Sequence, residues 1–166
     1  MNFSERLRDL RIRKGLLQKQ VATAIGVSEG HYIKYETRNS NPTLENIISL
    51  ADLFNVTIDY LVGRIETSLS PEEIDQLFQN SKVCNLQTDR KSDFNPALFA
   101  KRLKELREEK GLTQSQLGKQ AGMVKSVISL MENGHQTTTL ENTVKLASIF
   151  GVSVDYLLGV SEERGR

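Results

Sequence analysis

The chain of 166 residues has little of what several other protein classes depend on. Its one cysteine, Cys84, cannot form a disulfide within the chain, so the sequence gives no sign of an oxidising compartment. No apolar run approaches the roughly 18 residues that a membrane-spanning helix requires. The first fifteen residues are charged throughout and contain no apolar core of a signal peptide. We therefore expect a cytoplasmic protein.

Histidine is also scarce, which limits the chemistry that the chain can perform. His31 and His135 lie in different halves of the sequence, so they and Cys84 show no metal-ligand spacing. No Ser/His/Asp or Cys/His set has the local signature of a nucleophilic site, and no glycine-rich phosphate loop follows a strand. Adjacent carboxylates such as Glu108 and Glu109 point apart on a helix. The sequence predicts a protein that is not an enzyme and has no cofactor and no metal.

What the chain does contain is a duplication. Adding 96 to any residue number from 3 to 63 gives its counterpart in a second copy without a gap, and 24 of those 61 positions are identical. Such a period is too long for a solenoid repeat and indicates a duplicated domain. The predicted organisation is a first domain at 1–63, a linker at 64–98, a second domain at 99–159 and a disordered tail at 160–166.

Each copy reads as five short helices, which predicts an all-α fold of two domains joined by a partly helical linker. The first helix begins near residue 3 and has an apolar stripe that includes Leu7 and Leu10. Two short helices follow on either side of a glycine, Gly26 or Gly122, which tolerates the backbone of a tight turn. That order predicts a helix-turn-helix. In the first copy the last two helices are expected near 44–54 and 57–62.

The net charge of +1 is too small to indicate a nucleic-acid partner by itself. Residues 3–63 contain eight Lys/Arg against seven Asp/Glu, residues 99–159 eight against six, and the linker four against six. Basic residues crowd the first helix of each copy, at Arg6, Arg8, Arg11, Arg13 and Lys14 and at Lys101, Arg102, Lys104, Arg107 and Lys110. Such a run is usually a solvated helix face, and beside a helix-turn-helix it can also contact phosphates.

The acidic linker contains one clear helix start. Ser70 can cap a short helix near 71–80 that opens with Pro71 and two glutamates. The apolar edge of this helix consists of Ile74, Leu77 and Phe78. It would dock either on one of the domains or on the same segment of a second chain, which makes it the candidate homodimer contact.

Both copies resemble the lambda-repressor/Cro class of helix-turn-helix domain, the XRE family. The resemblance rests on a basic first helix that ends in Lys-Gly-Leu, a glutamine that opens helix two (Gln18, Gln114), the glycine turn, and a glutamate that closes helix three (Glu36, Glu132). The segments TLENIISLADLFNVTIDYLVG and TLENTVKLASIFGVSVDYLLG resemble the final two helices of the family. The resemblance to the family covers both copies and excludes the linker.

This resemblance implies that helix three of each copy enters the DNA major groove and that residues near its start contact base edges. The base-reading residues would be Ser28, Glu29, Gly30 and Lys34 in the first copy and Val124, Lys125, Ser126 and Leu130 in the second. The phosphate-contacting residues would be Gln18, Arg38, Asn39, Gln114, Asn133 and Gly134. Two structural ion pairs are also implied, Arg11 with Glu36 and Arg107 with Glu132.

The two sets of base-reading residues differ in chemistry. Lys125 can donate to guanine O6 or N7, and Ser126 can bond to several bases. Glu29 can accept only from cytosine N4, and Gly30 offers no side chain and costs an exposed helix roughly 1 kcal/mol relative to alanine. Ser28 can cap helix three, whereas Val124 cannot. The first copy is therefore expected to bind DNA weakly, to read a different half-site, or to contact a protein.

Two functions from different classes remain open. The favoured one is a sequence-specific transcription regulator, by preference a repressor, that binds double-stranded DNA; it would be encoded by a bacterium or a phage and lie on the nucleoid when bound. The alternative is a protein-binding antirepressor or antitoxin-like module that reuses the helix-turn-helix fold. The paired glutamines, Lys125 and Ser126 favour DNA binding. Glu29, Gly30 and the near-neutral charge favour a protein partner.

Overall fold

The computed structural model describes residues 2–64 and 94–165. The predicted linker helix near 71–80, with its candidate dimer residues Ile74, Leu77 and Phe78, lies outside these ranges. The described residues contain ten α-helices and no strand, so the all-α prediction is confirmed. The chain divides into two compact units between Asp93 and Phe94. None of the helices described is long and apolar enough to cross a membrane.

The two units have the same order of helices. The first contains α1 (Phe3–Arg13), α2 (Gln18–Ala24), α3 (Glu29–Glu36), α4 (Leu44–Phe54) and α5 (Ile58–Leu61). The second contains α6 (Pro96–Glu109), α7 (Gln114–Ala121), α8 (Lys125–Glu132), α9 (Leu140–Phe150) and α10 (Val154–Leu158). Helix α6 begins ahead of the predicted domain start at residue 99. Asn95 caps it, with its side-chain oxygen accepting from the N–H groups of Ala97 and Leu98, each at 3.1 Å, and Pro96 suits the first helical position.

Glycine makes the turn between the second and third helices of each unit, as expected. Gly26 and Gly122 have φ of +73° and +70°, in the left-handed region where a side chain would be strained. The residue after the glycine then bonds back to the helix; in the second unit the Met123 N–H donates to the Gly118 carbonyl at 2.8 Å. This closure satisfies a helix carbonyl and directs the chain into the third helix.

Apolar side chains from several helices form a small core in each unit. The core of the first unit includes Leu7, Leu10, Val21, Tyr32, Ile47, Phe54 and Ile58, and that of the second includes Phe99, Leu103, Leu117, Ile128, Leu146 and Leu157. Each full burial stabilises the fold by about 1.5–3 kcal/mol before opposing terms. Phe3 is only half-buried, whereas its counterpart Phe99 is 1 % exposed.

Two arginines of the basic first helices are buried rather than solvated. Arg6 and Arg102 are each 4 % exposed. The Arg6 guanidinium lies 4.7 Å from the centre of the Tyr60 ring, and that of Arg102 lies 4.3 Å from the Tyr156 ring. A planar guanidinium is well suited to stacking on an aromatic face. For these two residues the expected solvated or phosphate-contacting role is wrong, because they join the first helix of each unit to the last.

Side chains of α6 contact the residues that follow α10, for which a disordered tail is expected from the sequence. Arg102 donates to the Glu162 carboxylate at 2.6 Å. Arg164 donates two hydrogen bonds, at 2.7 and 2.8 Å, to the carboxylate of Glu109. The polar composition of this segment is typical of disorder, but its charges match partners on the second unit.

Candidate nucleic-acid interface

A buried carboxylate fixes the end of α3 in the first unit. The Glu36 side chain is 3 % exposed, and its Oε1 accepts from Arg11 Nε at 2.6 Å and from the Tyr32 hydroxyl at 2.8 Å. Its Oε2 accepts from Arg11 Nη2 at 3.1 Å and from Gln18 Nε2 at 2.8 Å. One carboxylate thus joins α1, the first residue of α2 and the last residue of α3.

The second unit has the same network with one member fewer. The Glu132 side chain, also 3 % exposed, accepts from Arg107 Nε at 2.5 Å and Nη2 at 3.1 Å and from Gln114 Nε2 at 2.9 Å. Ile128 stands where the first unit has Tyr32, so the hydroxyl bond has no counterpart. Both ion pairs implied by the resemblance are therefore present in the structure.

The hydrogen-bond network of the first unit shifts the pKa values of Glu36 and Tyr32. Burial alone would raise the pKa of Glu36, but hydrogen bonds from Arg11, Gln18 and Tyr32 outweigh it and hold the pKa below its ordinary value. Burial, with the hydrogen bond to Glu36, raises the pKa of the Tyr32 phenol. At neutral pH the carboxylate is therefore charged and the phenol is neutral, which are the states that these hydrogen bonds require.

Gln18 and Gln114 open α2 and α7 and are half-buried. Each donates an amide N–H to the glutamate of its network, a partner that we did not anticipate from the sequence. A glutamine amide has two N–H donors and one acceptor oxygen. The bond to Glu36 or Glu132 therefore fixes the side chain and leaves a second N–H for a phosphate oxygen. The identity of both glutamine and glutamate in the two copies was the signal for this link.

Helix α8 and its N-cap residue present four exposed side chains to solvent. Lys125 and Ser126 in its first turn are exposed, as are Val124 at 65 % and Leu130 at 42 %. Val124 is the N-cap residue and makes no side-chain hydrogen bond to the helix. Ser126 and Leu130 lie one turn apart and share a face. All four residues expected to read bases in the second unit are thus on the surface.

The equivalent surface of the first unit has a different chemistry. Ser28 caps α3, since its hydroxyl oxygen accepts from the His31 N–H at 3.3 Å. Glu29, Gly30 and Lys34 are exposed. This helix therefore presents a carboxylate and a bare backbone where α8 presents a lysine and a serine.

The residues expected to contact phosphates after the third helix are exposed and already hydrogen-bonded within their units. Arg38 pairs with Glu5 at 2.5 Å and adopts a φ of +63°, where the second unit has Gly134 at +70°. Asn39 donates to the hydroxyl oxygen of Thr37 at 2.9 Å, and Asn133 donates to the Ser129 carbonyl at 2.7 Å. A phosphate would have to compete with these local partners or accept from their remaining donors.

A cleft of about 600 Å³ lies beside α3 in the first unit, with Gln18, Arg8, Lys19 and Glu29 among its lining residues. Arg8 and Lys19 thus place two cations beside Gln18, the residue expected to contact phosphate. Leu17, which also lines the cleft, is 67 % exposed and suits an apolar contact instead. Within residues 2–64 and 94–165, no group of three or more His, Cys, Asp or Glu side chains could hold a metal ion.

In both units a short helix, a glycine turn and a second short helix with an exposed start follow one another. The family model HTH_3, described as Helix-turn-helix, matches residues 7–61 and again residues 103–157, together more than half of the chain. The chain therefore belongs to this helix-turn-helix family, and the resemblance inferred from its residues is confirmed.

Curated proteins similar to parts of the chain carry names of transcription regulators. The cryptic phage CTXphi transcriptional repressor RstR of Vibrio cholerae is 40 % identical over 67 residues, which are 40 % of this chain and 60 % of RstR. The HTH-type transcriptional regulator ImmR of Bacillus subtilis is 31 % identical over 72 residues, 43 % of this chain and 57 % of ImmR. The HTH-type transcriptional activator BcrR of Enterococcus faecalis is 34 % identical over 87 residues, 52 % of this chain and 39 % of BcrR. The chain thus spans less than two thirds of each of these relatives. No match was found among solved structures.

Proposed function

We propose that this protein is a sequence-specific DNA-binding transcription regulator that inserts α8 of its second unit into a major groove. The observation that carries the proposal is the exposed start of α8, where Lys125 and Ser126 lie in a unit whose Gln114 is held in place by Glu132. Lysine and serine can bond to base edges in the major groove, and glutamine can bond to phosphate. Base readers and a register-setting contact thus occur in one unit.

We further propose that the protein is a repressor. Both units match the helix-turn-helix family. A protein that occupies DNA represses most directly by excluding other proteins from the site. The relatives support regulation in general, since RstR is named a repressor and BcrR an activator. Loss of the protein should raise transcription from a promoter that overlaps its binding site.

For the first unit we propose a weaker DNA contact that relies more on phosphates than on bases. Glu29 and Gly30 offer little for base reading, whereas Gln18, Arg8 and Lys19 lie together around the cleft. Arg38 supports this assignment. A non-glycine residue in the left-handed region costs roughly 1–2 kcal/mol, and such strain is often found where function requires the side chain.

A second candidate function rests on the surface of the first unit. Ile12 is 57 % exposed and Leu17 is 67 % exposed, and the second copy has Glu108 and Thr113 at these positions. Exposed apolar groups of this kind favour a protein partner over a phosphate backbone. In this function the chain would be an antirepressor or antitoxin-like module that binds another protein through its first unit.

DNA binding by the second unit is tested by changing its base-reading residues and its phosphate-contacting residue separately. Lys125→Ala combined with Ser126→Ala should weaken the selected site by roughly 1–3 kcal/mol and relax the choice of base. Gln114→Ala should weaken all DNA sequences alike. Both effects are measured as dissociation constants on the selected site and on a scrambled duplex.

The matched control is the equivalent change in the first unit, Glu29→Ala combined with Gly30→Ala. It should leave the sequence preference of the second unit unchanged. A shift of sequence preference in Gln114→Ala without one in the Lys125/Ser126 double variant would contradict the assigned roles. Equal and weak binding of every variant to every duplex would favour the protein-binding function.

A further inference from the structure

Two exposed apolar side chains, one on α8 and one at its N-cap, lie outside the core of the second unit. Val124 is 65 % exposed and Leu130 is 42 % exposed, whereas Ile128 and Met131 of the same helix are 0 % and 1 % exposed. A single exposed valine or leucine is common on protein surfaces. Here, however, two of them flank Lys125 and its neighbour Ser126 on the helix proposed to enter DNA.

Val124 also weakens the helix that it begins. The N-cap position favours serine, threonine, aspartate or asparagine, because their side chains accept from a backbone N–H that otherwise lacks a partner. Ser28 does this for α3, accepting from the His31 N–H at 3.3 Å. Val124 makes no such bond to α8. An apolar side chain thus stands where a polar one would stabilise the domain.

The major groove offers one apolar group to such side chains. This is the methyl group on C5 of thymine, and 5-methylcytosine carries the same group. Val124 and Leu130 are six residues apart, so they are separated by about 9 Å along the helix direction. This corresponds to between two and three base pairs at roughly 3.4 Å each. Each residue turns the helix by about 100°, so the two side chains also lie about 120° apart around its axis and would reach methyl groups on two different base pairs.

We propose that Val124 and Leu130 each contact the C5 methyl group of a pyrimidine. The second unit would then select a site with two 5-methylpyrimidines, which are thymines in ordinary DNA. This inference rests on the proposed insertion of α8 into the major groove. The first unit has Ser28 and Lys34 at the equivalent positions and reads no methyl group there. Methyl recognition therefore distinguishes the two units.

Uracil substitution tests the inference on the full chain. Each thymine of a duplex selected from a random library is replaced in turn by deoxyuridine, which removes the methyl group and leaves base pairing intact. Two positions, two to three base pairs apart, should each lose affinity about threefold to fivefold, as expected for one buried methyl. Where cytosine replaces one of these thymines, 5-methylation should restore part of the loss, since the methyl group is then the feature that is read.

Protein variants assign each methyl contact to a residue. Val124→Ser should raise the melting temperature of the second unit by about 4 °C or more, because serine supplies the missing cap. It should also remove the thymine–uracil difference at one position and retain it at the other. Leu130→Gln should do the reverse without stabilising the helix. Val160→Ser, the same change at a residue that is 43 % exposed outside α8, should leave both differences in place.

The outcomes separate this inference from the proposed function. Thymine–uracil differences that persist in both Val124→Ser and Leu130→Gln would overturn methyl recognition by these residues while leaving sequence-specific binding intact. Absence of any uracil-sensitive position in the selected duplex would do the same. Failure to select any sequence would overturn the proposed function and, with it, this inference.

Discussion

At the residue scale, Glu36 shows how one side chain can serve both fold and interface. Its carboxylate accepts from Arg11, Tyr32 and Gln18, and Gln18 is the residue proposed to set the register on DNA. A buried charge that loses its partner is strongly destabilising. The carboxylate that holds Gln18 in place therefore also contributes to the stability of the first unit.

Glu36→Gln should destabilise the first unit by about 3 kcal/mol, because Arg11 would keep its charge at 13 % exposure without an ionic partner. Urea denaturation of the full chain, followed by hydrogen exchange in peptides of each unit, measures the effect. Glu29→Gln makes the same chemical change at an exposed residue of the same helix and should alter the stability little. An equal effect of the two changes would contradict the structural role of Glu36.

The lowered pKa of Glu36 predicts a loss of stability in acid. A carboxyl whose pKa is lower in the folded than in the unfolded protein stabilises the fold fully above its ordinary value of about 4.3. That contribution disappears as the pH falls through the folded pKa, because the unfolded chain binds the proton first. Between pH 7 and pH 3 the melting temperature of the first unit should fall less in Glu36→Gln than in the unmodified chain. Glu29→Gln should retain the full fall.

Arg38 gives a prediction about the DNA contact of the first unit. Arg38→Gly would relieve the left-handed strain but lose an exposed ion pair with Glu5, so stability should stay within about 1 kcal/mol of the original. If Arg38 contacts phosphate, the variant should bind all DNA sequences more weakly, and the slope of log affinity against log salt should fall by about 1. An unchanged salt slope would mean that Arg38 makes no phosphate contact.

At the element scale, the two units differ in how the start of their second helix, α2 or α7, is capped. Thr113 and Gln116 form a complete capping box at the start of α7, with bonds of 3.2 and 2.8 Å. At the start of α2, the Gln20 side chain accepts from the Leu17 N–H at 2.7 Å, but the apolar Leu17 side chain cannot accept from the Gln20 N–H in return. The first unit therefore has half of the capping box that the second unit completes.

Exchanging these caps should shift the stability of the units in opposite directions. Leu17→Thr should stabilise the first unit by about 1 kcal/mol, and Thr113→Leu should destabilise the second by a similar amount. Hydrogen exchange of the full chain resolves the change within α2 or α7. If Leu17→Thr destabilises α2, then Leu17 makes a contact with the fold that outweighs a cap.

Most of the helices and the turns between them could be predicted from the sequence, because helix periodicity and turn glycines are local signals. Leu7 and Leu10 mark the buried face of α1, and Gly26 marks the turn. The burial of Arg102 could not be predicted in this way, since its partner Tyr156 is 54 residues away. A lysine- and arginine-rich helix has the same local pattern whether its charges face water or a distant tyrosine.

The positions of the candidate site residues could also be predicted from the sequence, but their contacts could not. The resemblance implied the positions of Lys125 and Ser126, and the structure places both on an exposed helix start. It did not indicate that Gln114 is held by Glu132 or that Arg38 has a strained backbone. Those features depend on contacts between helices and on loop conformation, which a sequence pattern does not specify.

At the scale of the whole molecule, one chain carries two DNA-binding folds with unequal third helices. A chain with two such units can bind two half-sites without a second copy, and the second contact then gains from a raised effective concentration. Because α3 and α8 differ in charge and apolar character, the two half-sites should differ in sequence. Two inserted helices would occupy major grooves about 10 base pairs apart, or a multiple of that spacing.

The central claim is tested most directly by selecting DNA from a random library with the full chain at two salt concentrations and sequencing the bound pool. We predict an enriched motif and an affinity that falls steeply as salt increases. One enriched half-site would mean that the second unit reads alone, and two would mean that both units read. Weak binding that is insensitive to salt and enriches no sequence would contradict the account and favour a protein partner.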